Sequence, residues 1–350
     1  MLELTKALCA MGGVSGDEGE VRDFIRARAA PHSDEIREDA LGNLLVFQRG
    51  AQPDSAQPDS AQPGGGRPLL MLCAHMDEVG LIVKGITDEG MLRFGCVGGI
   101  DRRVLPGCRV LVGGNKVPGV VGLKACHLSS REEEEKIPKL EDMLIDIGAS
   151  DRKEAEQAAA LGDTCVFHSP IAEVGDGYLM ARAIDDRFGC ACLLRRLAER
   201  RPRCDTWTVF TAQEEAGTRG AYAAVNQVAP DIAVIVEATT AADLPDLPPH
   251  KRVCKPGGGV VIPTMDGGAV YTPRLVALAR ALADGGGIPW QDKEYLSGGT
   301  DARAIQIGRA GVEVLGLALA TRYLHSPSSM AKISDMEHVY HLLDTVAEAL

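Results

Sequence analysis

The chain is predicted to form an α/β domain with a mixed central sheet and flanking helices, interrupted by a small β-rich, barrel-like domain. Three observations predict this. Continuous apolar runs at 69–74, 206–212, 232–236 and 312–320 read as strands buried on both faces, as in a parallel sheet. Helical patterns separate several of them, which is βαβ order. From Gly80 to Phe167 the texture changes to short alternating runs split by turn signals such as Asp88-Glu-Gly90 and Gly113-Gly-Asn-Lys116. The expected boundaries are residues 1–78 and 168–350 for the α/β domain and 79–167 for the β-rich insertion.

Composition narrows the functional classes. The 350 residues, 45% of them hydrophobic, can build a substantial core. A formal net charge of −12 without a basic cluster sets the chain against nucleic acid and anionic membranes and suits amine-bearing substrates. The ten cysteines are scattered, with no Cys-x-x-Cys and one close pair, Cys190 and Cys192, so reduced thiols are expected. The opening Met-Leu-Glu-Leu-Thr-Lys has no basic region followed by an apolar core, and no apolar run is long enough to span a bilayer. A cytoplasmic location is expected.

In chain order, Leu2 to Met11 has helical spacing and stops at Gly12-Gly13. Ser15 and Glu18 make a capping-box pattern for a second helix to about Ala30. Glu35–Asp39 and Asn43–Gln48 read as a hairpin at a sheet edge. Residues 51–66, a tandem Ala-Gln-Pro-Asp-Ser repeat, are too polar and proline-rich to pack and read as a disordered loop insertion. In the insertion, strands are expected at Leu81–Ile86, Met91–Val97, Arg109–Val112, Val117–Gly122 and Asp142–Asp146. The Glu132–Glu135 run reads as solvated, and His127 and His168 as structural. An amphipathic helix follows Asp185-Asp186, with Phe188, Ala191, Leu194 and Ala198 on one side. A further helix is expected at Arg219–Gln227. Thr272 is placed to cap a helix from Pro273 to Ala283, Pro289–Tyr295 reads as a strand, and Ser334 with Glu337 reads as a box for the last helix. Gly257-Gly-Gly lacks the spacing of a nucleotide loop and reads as a turn.

Chemistry gathers at the strand ends. The run at 206–212 leads into Glu214-Glu215, a costly place for charge unless a metal or proton compensates, although a solvated pair is the plain alternative. Neighbours on extended chain point to opposite sides, so one carboxylate can ligate a metal while the other serves as a base. The strand at 69–74 delivers His75-Met-Asp77. Residues two apart face the same way, so His75 can ligate while Asp77 orients its ring, against the alternative of a structural histidine. Asp185 and Asp186 could equally complement a helix N-terminus. Taken together, four strands end at His75, Glu214-Glu215, Glu237 and His325, and Asp185 opens a helix beside them. Ligands of open α/β sheets collect at such carboxyl ends. Two histidines and three carboxylates fit two divalent ions sharing a carboxylate, with donors suited to zinc, cobalt or manganese.

The chain closely resembles the self-compartmentalising co-catalytic metallo-aminopeptidases, variously called glutamyl, deblocking or tetrahedral aminopeptidases and also endoglucanase M. The resemblance runs over nearly the whole chain. Its carriers are Ala74-His-Met-Asp-Glu-Val-Gly80, Lys116-Val-Pro-Gly-Val, Asp146-Ile-Gly-Ala-Ser150, Ile184-Asp-Asp-Arg187, Gln213-Glu-Glu-Ala-Gly217, Glu237-Ala-Thr-Thr, Gly298-Gly-Thr-Asp301 and His325-Ser-Pro. It implies a zinc-exopeptidase-like fold and removal of N-terminal residues from peptides. It also implies two metal sites, with His75 and Glu237 completing separate sites and His325 and Glu215 supplying their other protein ligands. Asp185 would bridge them, Glu214 would be the general base, and the Asp185-Asp186 bond would be cis. The insertion would be a dimerisation domain, with dimers assembling further into a hollow dodecamer. One departure stands out, since Glu237 occupies a position where the family usually has an aspartate. The Gly298–Asp301 turn is a candidate wall of the first-residue pocket or a purely structural turn.

Three rival functions remain. A metal-dependent deacylase or amidohydrolase would use the same ions and base and is separated by comparing free with N-acylated peptides. A cellulase would need an acid/base carboxylate pair in a sugar cleft. A non-enzymatic metal-binding scaffold would need no base beside the ligands.

Overall fold

The computed structural model describes residues 1–51 and 67–350, so the expectation of a disordered repeat falls outside the described residues except at Ala51. An 11-stranded mixed sheet forms the main body. Across it run Glu35–Glu38, Leu44–Gln48, Thr206–Thr211, Leu70–His75, Ile232–Thr240, Glu313–Arg322, Ser329–Lys332, Tyr178–Ala181 and Ala172–Val174. Val260–Ile262 and Trp290–Asp292 branch from Glu313–Arg322. The four central strands, from Thr206–Thr211 to Glu313–Arg322, are mutually parallel, and the hairpin Glu35–Glu38/Leu44–Gln48 forms one edge, as expected. Every residue of Leu70–His75 and Thr206–Thr211 is buried, which is why these segments lack alternation. Helices cover the sheet and leave one continuous core from Leu8 to Ala347.

The insertion closes into a six-stranded antiparallel barrel in the order Gly80–Ile86, Leu92–Val97, Leu144–Asp146, Val117–Gly122, Arg109–Val112, Thr164–Phe167. Leu81, Val83, Val110, Val112, Val121, Ile145 and Phe167 fill it, so the short alternating runs face their apolar side inward. The closing strand Thr164–Phe167 escapes the sequence reading. Cys165, Val166 and Phe167 are consecutively buried, so the run has no alternation to detect.

Several local expectations are corrected. The helix Gly19–Ala29 is not boxed by Ser15, whose hydroxyl donates to Asp77, and Glu18 accepts instead from the Gly16 and Gln213 amides. Thr272 precedes Pro273–Gly286, but its hydroxyl accepts from Val314 N across to the sheet. The last helix, Ile333–Ala349, has no side-chain cap, and Glu337 instead pairs with Arg195 and the N-terminal amine. The helix Ile184–Glu199 is buried almost all round rather than on one stripe, and Ala198 is exposed. Ser15, Glu18, Thr272 and Glu337 each prefer a partner outside the expected cap, because groups near a packed sheet find donors and acceptors there that compete with the helix end. His127 and His168 are exposed and outside the site. Gly257 and Gly259 donate to Asp335, a turn anchored to the last helix. No helix among the described residues is long and apolar enough to cross a membrane.

Candidate metal centre

The central strands deliver their ends to one place. His75 is the last residue of Leu70–His75, Glu214 and Glu215 follow Thr206–Thr211, and His325 follows Glu313–Arg322. Glu237 differs from expectation. It lies inside Ile232–Thr240, opposite Ala318, with three strand residues still to come. Pairing of that strand with Leu70–His75 stops at Ile235–Cys73, so Glu237 stands at the notch where its neighbour turns away.

Two groups of donors result: His75, Asp185 and Glu237, and Asp185, Glu215 and His325, each with one ligand atom per residue within 4.8 Å of the others. Asp185 belongs to both, and His75 and Glu237 fall in one group rather than in the separate sites expected, because their strands lie side by side. His75 Nε2 lies 3.0 Å from Asp185 Oδ1 and 3.4 Å from Glu237 Oε1, and His325 Nε2 lies 3.5 Å from Asp185 Oδ2 and 3.1 Å from Glu215 Oε1. Both rings are oriented from behind. His75 Nδ1 lies 3.1 Å from the Asp77 carbonyl oxygen and His325 Nδ1 lies 2.9 Å from that of Gly99. A carbonyl can only accept, so Nδ1 carries a proton and Nε2 is the nitrogen turned toward the carboxylates.

Asp77 is buried and serves both segments. Its Oδ1 accepts from Glu214 N at 2.9 Å and lies 3.4 Å from His75 Nδ1, and its Oδ2 accepts from Glu215 N at 3.0 Å and Ser15 Oγ at 2.6 Å. Burial would raise its carboxyl, but the His75 ring, the Ser15 hydroxyl and the Glu214 amide outweigh that and hold it below the usual range. Ser15 and Gly99 are parts of the site that the sequence reading missed. Ser15 carried a helix-cap signal, and nothing local marks a glycine carbonyl 226 positions from its histidine.

Asp186, by contrast, turns away and accepts from Gly189 N at 3.0 Å, so the two readings of the aspartate pair divide between them: Asp185 faces the histidines and Asp186 caps the helix. The bond joining them is cis. The donor His325 and Ala183, Gln213 and Tyr323 close to the donors in sequence adopt left-handed backbone conformations that cost side-chain-bearing residues energy, as functional sites often do.

Charge is crowded here. Burial pushes Glu214 and Glu237 well above the usual carboxylate range, with neighbouring carboxylates adding to it, and raises Glu215. Burial also opposes charging of the histidines, yet Glu237 and Asp185 carry His75 well up, and Asp185 and Glu215 lift His325 to about 11. Burial works against ionised Asp185 too, but the two histidines hold it low. Such a cluster of carboxylates calls for positive charge at its centre, which protons on the two rings or metal ions can supply, and its nitrogen and oxygen donors fit two divalent ions. Glu214 stands apart: its carboxylate has no hydrogen bond or ion pair among the described residues and lines a cavity of about 990 Å³ that also reaches His75, Asp185, Glu215, Glu237 and His325.

Comparison with known proteins agrees with this architecture. The model of the M42 glutamyl aminopeptidase family matches residues 60–342. A putative aminopeptidase of Acetivibrio thermocellus is 34% identical over 98% of this chain and 97% of its own, and the lysyl aminopeptidase of Pyrococcus furiosus is 30% identical over 99% and 97%. The Pyrococcus horikoshii TET1 peptidase, which can assemble into a tetrahedron or a large octahedral shell, superposes with a TM-score of 0.86 at 31% identity, covering 100% of this chain and 99% of that one. With the family model spanning most of the chain and relatives matched end to end, this protein belongs to the M42 glutamyl aminopeptidase family and is a peptidase.

Proposed function

We propose that the protein is a di-metal aminopeptidase in which His75, Glu237 and Asp185 hold one divalent ion, Glu215, His325 and Asp185 hold a second, and Glu214 is the general base. The observation that carries this reading is Asp185, whose two oxygens face two different histidines at 3.0 and 3.5 Å. Zinc, cobalt or manganese suits the donors. Bound there, the ions would supply Lewis acidity toward the scissile carbonyl and toward water.

The chain's own groups do the rest. Glu214, unpaired and aimed into the cavity, accepts a proton from the attacking water and returns it to the leaving amine. Its displacement toward a higher pKa through burial suits both steps. Asp77 holds the His75 ring and the Glu214-Glu215 backbone in one register.

Glu214→Gln and Glu215→Gln, with bound metal and turnover both measured, test the assignment. Turnover of Glu214→Gln should fall by ~10²–10⁴-fold with metal content retained, whereas Glu215→Gln should lose metal and activity together and recover partly in excess metal. Loss of metal from the first and retention by an inactive second would reverse the two roles. Comparing free with N-acylated peptides separates the reading from a deacylase.

We also assign the barrel segment 79–167 to self-association, forming dimers that build into a hollow dodecamer admitting only peptides, and 1–78 with 168–350 to catalysis. Exposed Val120, Leu123, Leu128 and Ile137 on the insertion, and the shells formed by the Pyrococcus horikoshii relative, support this. Sedimentation of the Leu128→Glu, Ile137→Glu double variant should show smaller particles. An unchanged mass would count against the assignment. The described cysteines are all unpaired, in keeping with a cytoplasmic location.

A further inference from the structure

The strand end that carries Glu214 and Glu215 is held by side chains from elsewhere in the chain. Four consecutive backbone amides each donate to one: Ala212 N to Asn43 Oδ1 at 2.8 Å, Gln213 N to Glu18 Oε1 at 3.1 Å, Glu214 N to Asp77 Oδ1 at 2.9 Å and Glu215 N to Asp77 Oδ2 at 3.0 Å. Asn43 also bonds Gly220 O, and Asp77 also sits behind His75. Glu18 has no second task of that kind. It is 2% exposed, its Oε1 accepts otherwise from Gly16 N at 2.7 Å within its own loop, and it has no ion pair among the described residues. Burial lifts its carboxyl above the usual range, against the pull of the Gly16 amide. A buried carboxylate without a cation is unfavourable, and its bonds to these amides offset that.

The residue that Glu18 holds is itself strained. Gln213 has a φ of 57°, the left-handed conformation that residues with a Cβ disfavour. Its side chain makes no hydrogen bond among the described residues that would keep it there. The carboxylate of the next residue, Glu214, is unpaired as well, so its aim into the cavity is set by the backbone that precedes it. That backbone turns at Gln213.

We propose that Glu18 is a positioning residue for the reaction: by accepting the Gln213 amide it keeps Gln213 left-handed and so aims Glu214 into the cavity. The proposal rests on the reading of Glu214 as the general base. Ser15, on the same loop, donates to Asp77, so this loop supports the base both directly and through Asp77.

The test uses metal-reconstituted full-length variants, hydrolysis of an aminoacyl p-nitroanilide, and bound metal measured on the same samples. Glu18→Met keeps length and apolar stem but loses the acceptor, and kcat should fall by roughly 10–100-fold with KM and bound metal unchanged, the effect of a slightly misplaced catalytic group. Glu18→Gln keeps a carbonyl oxygen for both amides and should recover most of the loss. Adding Gln213→Gly to Glu18→Met should also recover rate, because glycine takes the left-handed conformation freely. In a Glu214→Gln background, Glu18→Met should slow turnover no further, since residues acting as a unit are not additive. A carboxylate that only stabilised the fold would lower the urea midpoint and leave kcat of the folded enzyme alone. If Glu18→Met does not fold, Gln213→Val keeps Glu18 and disfavours the left-handed backbone through its β-branch, and it should be slow with metal retained. Wild-type kcat in a folded Glu18→Met or Gln213→Val protein, loss of metal together with rate, or an equal further fall in the Glu214→Gln background would overturn the proposal. Should Glu214→Gln itself keep the wild-type rate, the base reading fails and takes this proposal with it. Should Glu214→Gln be slow while Glu18→Met is not, this proposal alone fails.

Discussion

Replacing Asp77 by asparagine should weaken the whole centre although Asp77 faces no substrate. The carboxylate takes three hydrogen bonds, from Glu214 N at one oxygen and from Glu215 N and Ser15 Oγ at the other, and its first oxygen also sits 3.4 Å from His75 Nδ1. An amide must put its NH₂ on one side or the other. On the Oδ1 side it opposes the Glu214 amide, and on the Oδ2 side it opposes the Glu215 amide, so at least one buried backbone N–H loses its acceptor. That costs about 1–3 kcal/mol. The strain falls on the segment that carries both the base and a proposed ligand, and on the ring of His75. Metal affinity and kcat should each fall by roughly 10–100-fold, the range seen when groups behind metal ligands are removed. Competition against a calibrated chelator gives the affinity, and single-turnover hydrolysis of an aminoacyl anilide gives the rate. An Asp77→Asn protein that binds metal and turns over like the wild type would refute the claim that Asp77 sets this geometry.

Three other outcomes are expected. Arg187 is fully buried and donates to Met76 O at 2.8 Å, Leu8 O at 2.7 Å and Met11 O at 3.1 Å, with Glu78 Oε1 at 3.2 Å, so Arg187→Met should destabilise the fold by about 3–5 kcal/mol, read as a lowered urea midpoint. Glu237→Asp, which installs the aspartate that the resemblance leads one to expect there, should keep two ions per chain by elemental analysis but change the ranking of zinc, cobalt and manganese in activation, since the carboxylate retreats by one methylene. Replacing residues 52–66 by a short Gly-Ser linker should leave the melting temperature and activity unchanged, because Arg67 Nη1 already reaches Ala51 O at 3.2 Å and holds the ends together. A large fall in melting temperature would show that the repeat packs.

Most of what could be read from the chain alone came from periodicity and strand termini. Unbroken apolar runs gave the parallel centre of the sheet, alternation gave five of the barrel strands, and polar residues near the ends of the runs gave the proposed donors apart from Asp185, which the family resemblance singled out. These signals are local. A strand buried on both faces needs apolar residues throughout, and a residue that leaves such a strand enters the crevice at its end. Asp185 and Asp186 show the limit: adjacent and chemically identical, they read alike in sequence, and the fold sends one to the histidines and the other to the Gly189 amide. The neighbour order of the strands decided the rest. It placed Asp77 under the Glu214 and Glu215 amides, 137 and 138 positions away, set the Gly99 carbonyl of the barrel behind His325, put Glu237 inside its strand where the adjacent one departs, and brought Glu18 to the Gln213 amide. Helix caps failed as predictions for the same reason, since Ser15, Thr272 and Glu337 each found a partner far along the chain. Hydrogen bonds are short-ranged, so which donor meets which acceptor depends on distances that only the closed fold determines.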